Sequence, residues 1–556
     1  MLEEEIMASW VDADKGESAA AAEALAKETT KARKEPASAN TAAQAQHQEW
    51  TQWVAANAIP ATNFTALGIG ESQVVGFGEP DHGIHECPQL RNDLFQYLAK
   101  EKKFQVFLFE SGILEARLVE RYVQGEDLNL EDVLRQGITH SMGMYQEQKD
   151  LVVWMRAFNN GKEESERVHF AGVDLPVVGD APVLPLRELQ QYLSTCRSTV
   201  NIDASLLPLN LLELAEKQYV VTRTVRSATK AYVCTRFPDK NQDEIEIDPD
   251  LLDCFGTIGF DQLTSEEQTT LEDGLATLAT SLDAASESLI NATSMNEYGW
   301  HRHLVDIASS HVRNLRSRQK HRKLFMFDKA VGMLSQAGIA ADSLVLHPEY
   351  QMDMTNADDF RTQLRGRSTR ERMAAENITW ATKLYGKAFV YQHHGHLMKI
   401  GMDSKVGDVV IRKTSAGGLT QLTQGQMIQE EFGDTYFLIA CSYGEMRKKH
   451  DDDDDDDDDG TCSRNKLLER HGIPIETVAE VESCVEKAFV GLQGCSSSSS
   501  SSSSWYINLR HLEGPGRSWL NENRNFRWQS GFQSFNVLKA FDAVLYFDAE
   551  TPGLKI

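Results

Sequence analysis

The chain has 556 residues, 41% of them hydrophobic, and a formal charge of −27. That is enough apolar material for a large core in one elaborated domain or two lobes. The acidity argues against nucleic acid as a partner, because phosphate backbones need clustered Lys and Arg. Part of the charge is local: without the unbroken run Asp451 to Asp459 the balance is about −18, and the remainder serves solubility.

Eight cysteines (Cys87, Cys196, Cys234, Cys254, Cys441, Cys462, Cys484 and Cys495) are dispersed, with no CxxC spacing. Reduced thiols are expected, not a disulfide scaffold. The start Met1-Leu2-Glu3-Glu4-Glu5 lacks the apolar run of a secretory leader. No stretch of about 18 apolar residues occurs, so no membrane span is predicted. A soluble cytoplasmic protein is expected, with a small molecule as partner and neither nucleic acid nor membrane. Its oligomeric state is left open.

Residues 1–45, rich in Ala, Glu, Lys and Ser, predict a helical or disordered extension. A short amphipathic helix is predicted over Trp50 to Ile59. Residues 46–176 are expected to form the first β/α half of the core. Strand-like runs there end at Gly78-Glu79, at Phe109-Glu110 and at Val173-Asp174. Between the first two, Leu90, Leu94, Tyr97 and Leu98 recur at helical spacing behind Pro88. A further helix is predicted over Glu147 to Phe158. The first two strands are expected to be neighbours in a right-handed β-α-β unit.

Residues 177–320 read as a helical insertion, with runs at Arg187 to Leu193, Leu211 to Val221 and Glu266 to Leu289. A lid or second lobe is expected there, with a scaffold bundle as the alternative. Residues 321–556 return to β/α alternation. A helix over Glu371 to Lys383 precedes a strand ending in Gln392-His393-His394-Gly395-His396. Strands follow at Thr435 to Ala440, Trp505 to Leu509 and Ala543 to Phe547. The Asp run 451–459 and the Ser run 496–504 predict flexible loops. The fold class is therefore α/β: a central, mostly parallel sheet flanked by helices, with a large helical insertion.

In such sheets ligands bind at the carboxyl ends of the strands. Glu79, His82, Glu110, Asp174, His393 and His396 are expected to converge on one rim. A histidine at a strand-to-helix turn takes a proton from water near neutral pH when a carboxylate holds its other nitrogen. The carboxylates, if buried, need partners. No GxSxG elbow, GxGxxG or Walker pattern is present, so neither a serine nucleophile nor nucleotide chemistry is supported.

Gly78-Glu79-Pro80-Asp81-His82-Gly83, Phe109-Glu110-Ser111-Gly112, Ala171-Gly172-Val173-Asp174 and Gln392-His393-His394-Gly395-His396-Leu397, in that order, resemble the erythromycin esterase family. Arg370-Glu371-Arg372-Met373 looks like the helix this family places before its His-rich strand, and Phe541 to Asp548 like its closing strand. The likeness runs from about residue 70 to 556. Pro80-Asp81, His394 and Glu371 depart from the family pattern.

The resemblance implies a hydrolase of carboxylic esters or lactones without cofactor. His82 is the implied general base. Glu79 and Glu110 are expected to tune it, Arg91, which matches a family arginine of the site, to hold either acid in a fork, and His393 or His396 to assist the carbonyl oxygen or leaving group. Asp81, His85, Asp174 and His394 are assigned to substrate binding. Zinc on His82, His393 and a carboxylate is the competing arrangement, but the HExxH spacing is absent and no metal is expected. Two other readings use the same groups: a lyase, isomerase or cyclase, and a catalytically silent binding protein.

Overall fold

The computed structural model describes residues 37–140, 142–174, 182–198, 206–220, 259–319, 357–403, 420–446, 484–490, 504–528 and 531–556, with a few short pieces between them. Among these, eight strands form one sheet. They are β1 (Ile59–Pro60), β2 (Val74–Glu79), β3 (Val106–Gly112), β4 (His169–Asp174), β5 (Ala388–His393), β6 (Tyr436–Met446), β7 (Ser504–Asn508) and β8 (Ala543–Glu550). The order across the sheet is β1-β7-β8-β6-β2-β5-β3-β4. The stretch from β8 to β4 is parallel throughout. β7 and β1 add an antiparallel edge.

Residues of β2 to β5 are buried on both faces, as parallel strands are when helices cover both sides. Alternate residues feed two separate cores. Val75, Phe77, Phe107, Phe109, Phe389 and Tyr391 pack with Leu90, Leu94, Phe95 and Leu98 of helix α1 (Glu86–Lys102) and with Leu151 and Met155 of α2 (Gln146–Asn159). Val74, Val106, Leu108 and Val390 pack against Ala374, Ile378 and Ala381 of α3 (Ala357–Tyr385). A period of two along the strands and of three to four along the helices thus produces a three-layer sandwich.

One placement differs from the sequence-based expectation. β2 and β3 are not neighbours, because β5, which comes about 280 residues later, lies between them. Strand adjacency is decided by long-range pairing, which local pattern does not encode. The consequence favours the site: the His-rich end of β5 is brought between Glu79 and Glu110. All three strands run the same way, so their carboxyl ends still share one edge.

The helical insertion has its own apolar core, built by Leu186, Leu189, Leu271, Leu275, Leu304 and Val305 among others. It docks on α3 through the helix Met295–Gln319. His303 stacks on Trp380 at 4.1 Å and lies 2.9 Å from Asn377 Oδ1, and Asn377 in turn donates to the Val173 carbonyl at the end of β4. The N-terminal helix is longer than expected, running from Ala37 to Asn57. Ser504, counted in the Ser run, pairs with Phe547 in the sheet. The Asp run, residues 496–503, the β/α return near 324 and residues 1–36 lie outside the described residues. No helix among those described is long and apolar enough to cross a membrane.

Candidate active site

Glu79 ends β2 and sits opposite His393, the last residue of β5. The chain then turns sharply. Asp81 Oδ1 accepts the His82 backbone N–H at 3.0 Å, and Gly83 adopts φ +74°, a conformation open to glycine at little cost. A side chain at Gly83 would also collide with the Tyr145 hydroxyl. This turn brings His82 back over the strand it has left, and His82 Nδ1 lies 2.7 Å from Glu79 Oε1. The other Glu79 oxygen accepts the Tyr391 hydroxyl. Glu79 is buried, whereas 42% of the His82 side chain is exposed, so the imidazole is held from behind and open in front. Burial alone lowers the His82 pKa. The charge and hydrogen bond of Glu79, helped by Glu110 and Asp81, more than offset that and raise it to about 9.

A second histidine is clamped harder. His396 Nδ1 lies 2.7 Å from Glu371 Oε1 and its Nε2 lies 3.3 Å from Glu110 Oε1. Burial works against its charge, but the two carboxylates lift its pKa well above the usual histidine range and make it an imidazolium. Glu110 itself is held well below the usual carboxylate range, although burial opposes this, by His396, His82 and Arg370. Its other oxygen accepts the His393 N–H at 2.8 Å. Arg370 forks onto Asp174 at 3.0 and 2.6 Å and stands 3.8 Å from Glu110. This pairing overcomes burial and brings Asp174 down to about 2.

His393 lies between these groups, and its nitrogens are taken. Nδ1 accepts the Gly395 N–H at 3.1 Å, which leaves the proton on Nε2, 3.1 Å from the Pro80 carbonyl. Burial, together with the neighbouring His394, His82 and His396, keeps its pKa well below the ordinary value. A neutral ring bonded at both ends orients the β2 turn against β5. It has no proton to hand on without breaking one of those bonds.

Two assignments from sequence need correction. Arg91 does not fork onto Glu79 or Glu110. Its Nε and Nη2 donate to Asn92 Oδ1 at 3.0 and 2.6 Å, and its guanidinium lies 4.3 Å from the Tyr391 ring centroid, fully buried beneath the site. The arginine that meets the acids is Arg370. His394 is also fully buried, packed on Phe526, Trp528 and Phe541. Burial pushes its pKa down to about 3, and both of its ring nitrogens are shielded from solvent. Gly78 permits this packing, since a Cβ there would meet the His394 Cβ at 2.5 Å. Asp81 is buried in its turn. His85, by contrast, is part-exposed and bonded to buried Glu147; that hydrogen bond is the main reason its pKa is raised.

Arg370, Glu371, Tyr391, Glu147 and His140 line the candidate site and were not selected as site residues from the sequence. Tyr391 was within reach: it stands two residues before His393, so the strand period puts both on one face. Arg370 and Glu371 precede the His-rich strand by about 20 residues, a separation with no local signature.

Among the described residues no group of three or more His, Cys, Asp or Glu side chains is arranged to hold a metal ion. Both ring nitrogens of His393 and of His396 are committed to carboxylates or backbone, so ligation through either ring would require one of those bonds to break.

A parallel sheet sandwiched by helices, with acid–histidine pairs along its carboxyl edge, defines an α/β protein whose site is assembled from strand ends. The profile of the erythromycin esterase family matches residues 99–550, and the chain belongs to that family. The matched span contains Glu110, Asp174, Arg370, Glu371, His393 and His396, and begins downstream of Glu79 and His82. The chain is similar to an erythromycin esterase type II of Escherichia coli, 30% identical over 121 residues, which cover 22% of this chain and 27% of that protein. The match therefore spans about a quarter of that relative's length. Among solved structures, a protein from Bacillus cereus aligns over 92% of this chain and 99% of its own, with a TM-score of 0.57 at 19% identity. A succinoglycan biosynthesis protein aligns over 91% and 98%, with a TM-score of 0.55 at 14% identity. At these identities the likeness to the two solved structures is one of fold.

Proposed function

We propose that the chain hydrolyses carboxylic esters, lactones included, by histidine-activated water and without a metal. Family membership supports the hydrolase class. The observation that carries the mechanism is the His82–Glu79 pair: one ring nitrogen is fixed at 2.7 Å while the ring faces solvent. Such a histidine, when neutral, takes the proton of a water positioned in front of it. Glu79 orients the ring and stabilises the imidazolium that forms, and Tyr391 holds Glu79 in place. The oxygen of the tetrahedral intermediate develops negative charge. The His396 imidazolium, on the same rim, supplies positive charge to meet it. The protonated His82 then returns its proton to the leaving alkoxide. His393 keeps the positioning role its two hydrogen bonds give it.

Hydrolysis is tested by turnover in ¹⁸O-labelled water on a panel of aryl esters, lactones and macrolides. One labelled oxygen per turnover in the acid product is expected. Turnover with no label incorporated would overturn hydrolysis in favour of elimination or isomerisation by the same base.

A further inference from the structure

The side chains of this rim divide by exposure. The carboxylates of Glu79, Glu110, Asp174, Glu147 and Glu371 are at most 6% exposed, and each is bonded inward to a partner. The groups that reach solvent are donors: His82, His85, Arg370, His140 and His396. A cationic substrate needs acceptors and would find none exposed among these acids. An oxyanion finds N–H groups, and a guanidinium bonded on one side still presents charged donors on the other.

The corner formed by Arg370 and His140 is the part of this surface farthest from the proposed chemistry in the strand order, at the ends of β3 and β4. Arg370 is 36% exposed while its Nε and Nη2 are fixed on Asp174. His140 approaches the same Asp174 oxygen that Arg370 Nη2 holds. Its Nε2 stands 3.8 Å from Asp174 Oδ2, too far for a hydrogen bond; it is shielded from solvent and has no hydrogen-bond partner among the described residues. His140 also has φ +60°, a left-handed conformation that costs free energy in any residue with a Cβ. The strain is imposed from β3. Ser111 Oγ accepts the Thr139 N–H at 2.9 Å, and the Thr139 hydroxyl accepts the Gly112 N–H at 3.1 Å, so the loop is pinned to the strand end. A strained backbone, fixed by two bonds, thus holds beside Arg370 an imidazole whose Nε2 is left without a hydrogen bond among the described residues.

Resting on the reading of the site as an ester hydrolase, we propose that Arg370 and His140 bind a carboxylate carried by the substrate apart from its ester group. The substrates are then half-esters of dicarboxylic acids. Asp174, Glu110 and Glu371 face Arg370, and the chain as a whole is acidic. Long-range attraction therefore does not bring the anion in. Recognition rests on short-range charge-assisted hydrogen bonds from the part-exposed Arg370 and from the unsatisfied His140 ring beside it.

The test measures binding in the His82→Asn protein, so that it does not depend on turnover. Dissociation constants are compared for monomethyl succinate, glutarate and adipate against the matching dimethyl esters, at low ionic strength. The half-ester of best length should bind at least about tenfold more tightly than its diester, the worth of one charge-assisted hydrogen bond. Adding His140→Gly, which suits a positive φ and so folds, should cut that preference to about twofold or less. The charge-balanced pair Arg370→Gln with Asp174→Asn should do the same. Equal binding of half-ester and diester would overturn the proposal, as would a preference that survives both sets of changes. A protein that prefers half-esters but never incorporates ¹⁸O keeps this corner and loses the hydrolase reading.

Discussion

The carboxyl edge of the sheet and the helical insertion are buried by opposite means. In the insertion the core is leucine and valine on facing helices, and the polar exceptions such as His303 are used to dock on α3. At the sheet edge Glu79, Glu110, Asp174, Glu147, Glu371 and Arg91 are buried, which is costly unless each charge is paired. Apolar residues of similar volume would stabilise that edge at least as well. The edge spends stability to hold charges in fixed positions, and the insertion gains it from packing. Substitutions in the two regions should therefore separate activity from stability.

The largest effect is expected at the base. His82→Asn should lower kcat by about 10² to 10⁴ with little change in melting temperature, because its side chain is part-exposed and Glu79 keeps the Tyr391 hydroxyl. Steady-state kinetics and a thermal melt check both halves. The reverse pattern is expected at Leu304, which is fully buried in the insertion. Leu304→Ala should cost about 2–5 kcal/mol of stability, read by denaturant titration, with kcat/KM nearly intact in the folded fraction. A large fall in kcat there would erase the contrast. Tyr391→Phe removes one donor from a charged acceptor. It should lower kcat/KM by roughly ten- to a hundredfold, in keeping with about 1.5–3 kcal/mol for such a bond. Chelation is expected to have the least effect. Treatment with a strong chelator should leave turnover unchanged, and loss restored by stoichiometric zinc would contradict the metal-free proposal.

The elements that carry this contrast were unequally legible in the sequence. β2, β3, β4 and β5 could be read because both faces are buried, which leaves short apolar runs with a polar residue at the end. Glu79, His82, Glu110 and His396 could be placed together on one rim because they stand at or just past those ends. What could not be read depends on pairing across long separations. The insertion of β5 between β2 and β3 is one case. The meeting of Arg370 with Asp174, 196 residues apart, is another. Arg91 misled because it lies on the correct helix at the correct height, yet points into the aromatic layer under Tyr391. Helical periodicity gives the face of a residue and leaves its partner open.

The central claim is that Glu79 tunes His82 as the base, and the pH dependence of kcat/KM tests it most directly. The free enzyme's His82 must lose its proton to act. Its pKa is raised to about 9, so kcat/KM should climb about tenfold per pH unit below that value and level off above it. Glu79→Gln removes the charge that does most to favour the imidazolium. In that variant the rising limb should move down toward the model histidine value of about 6.5, with a lower plateau. A limb that stays in place when Glu79 is neutralised would contradict the assignment of His82 as the titrating base.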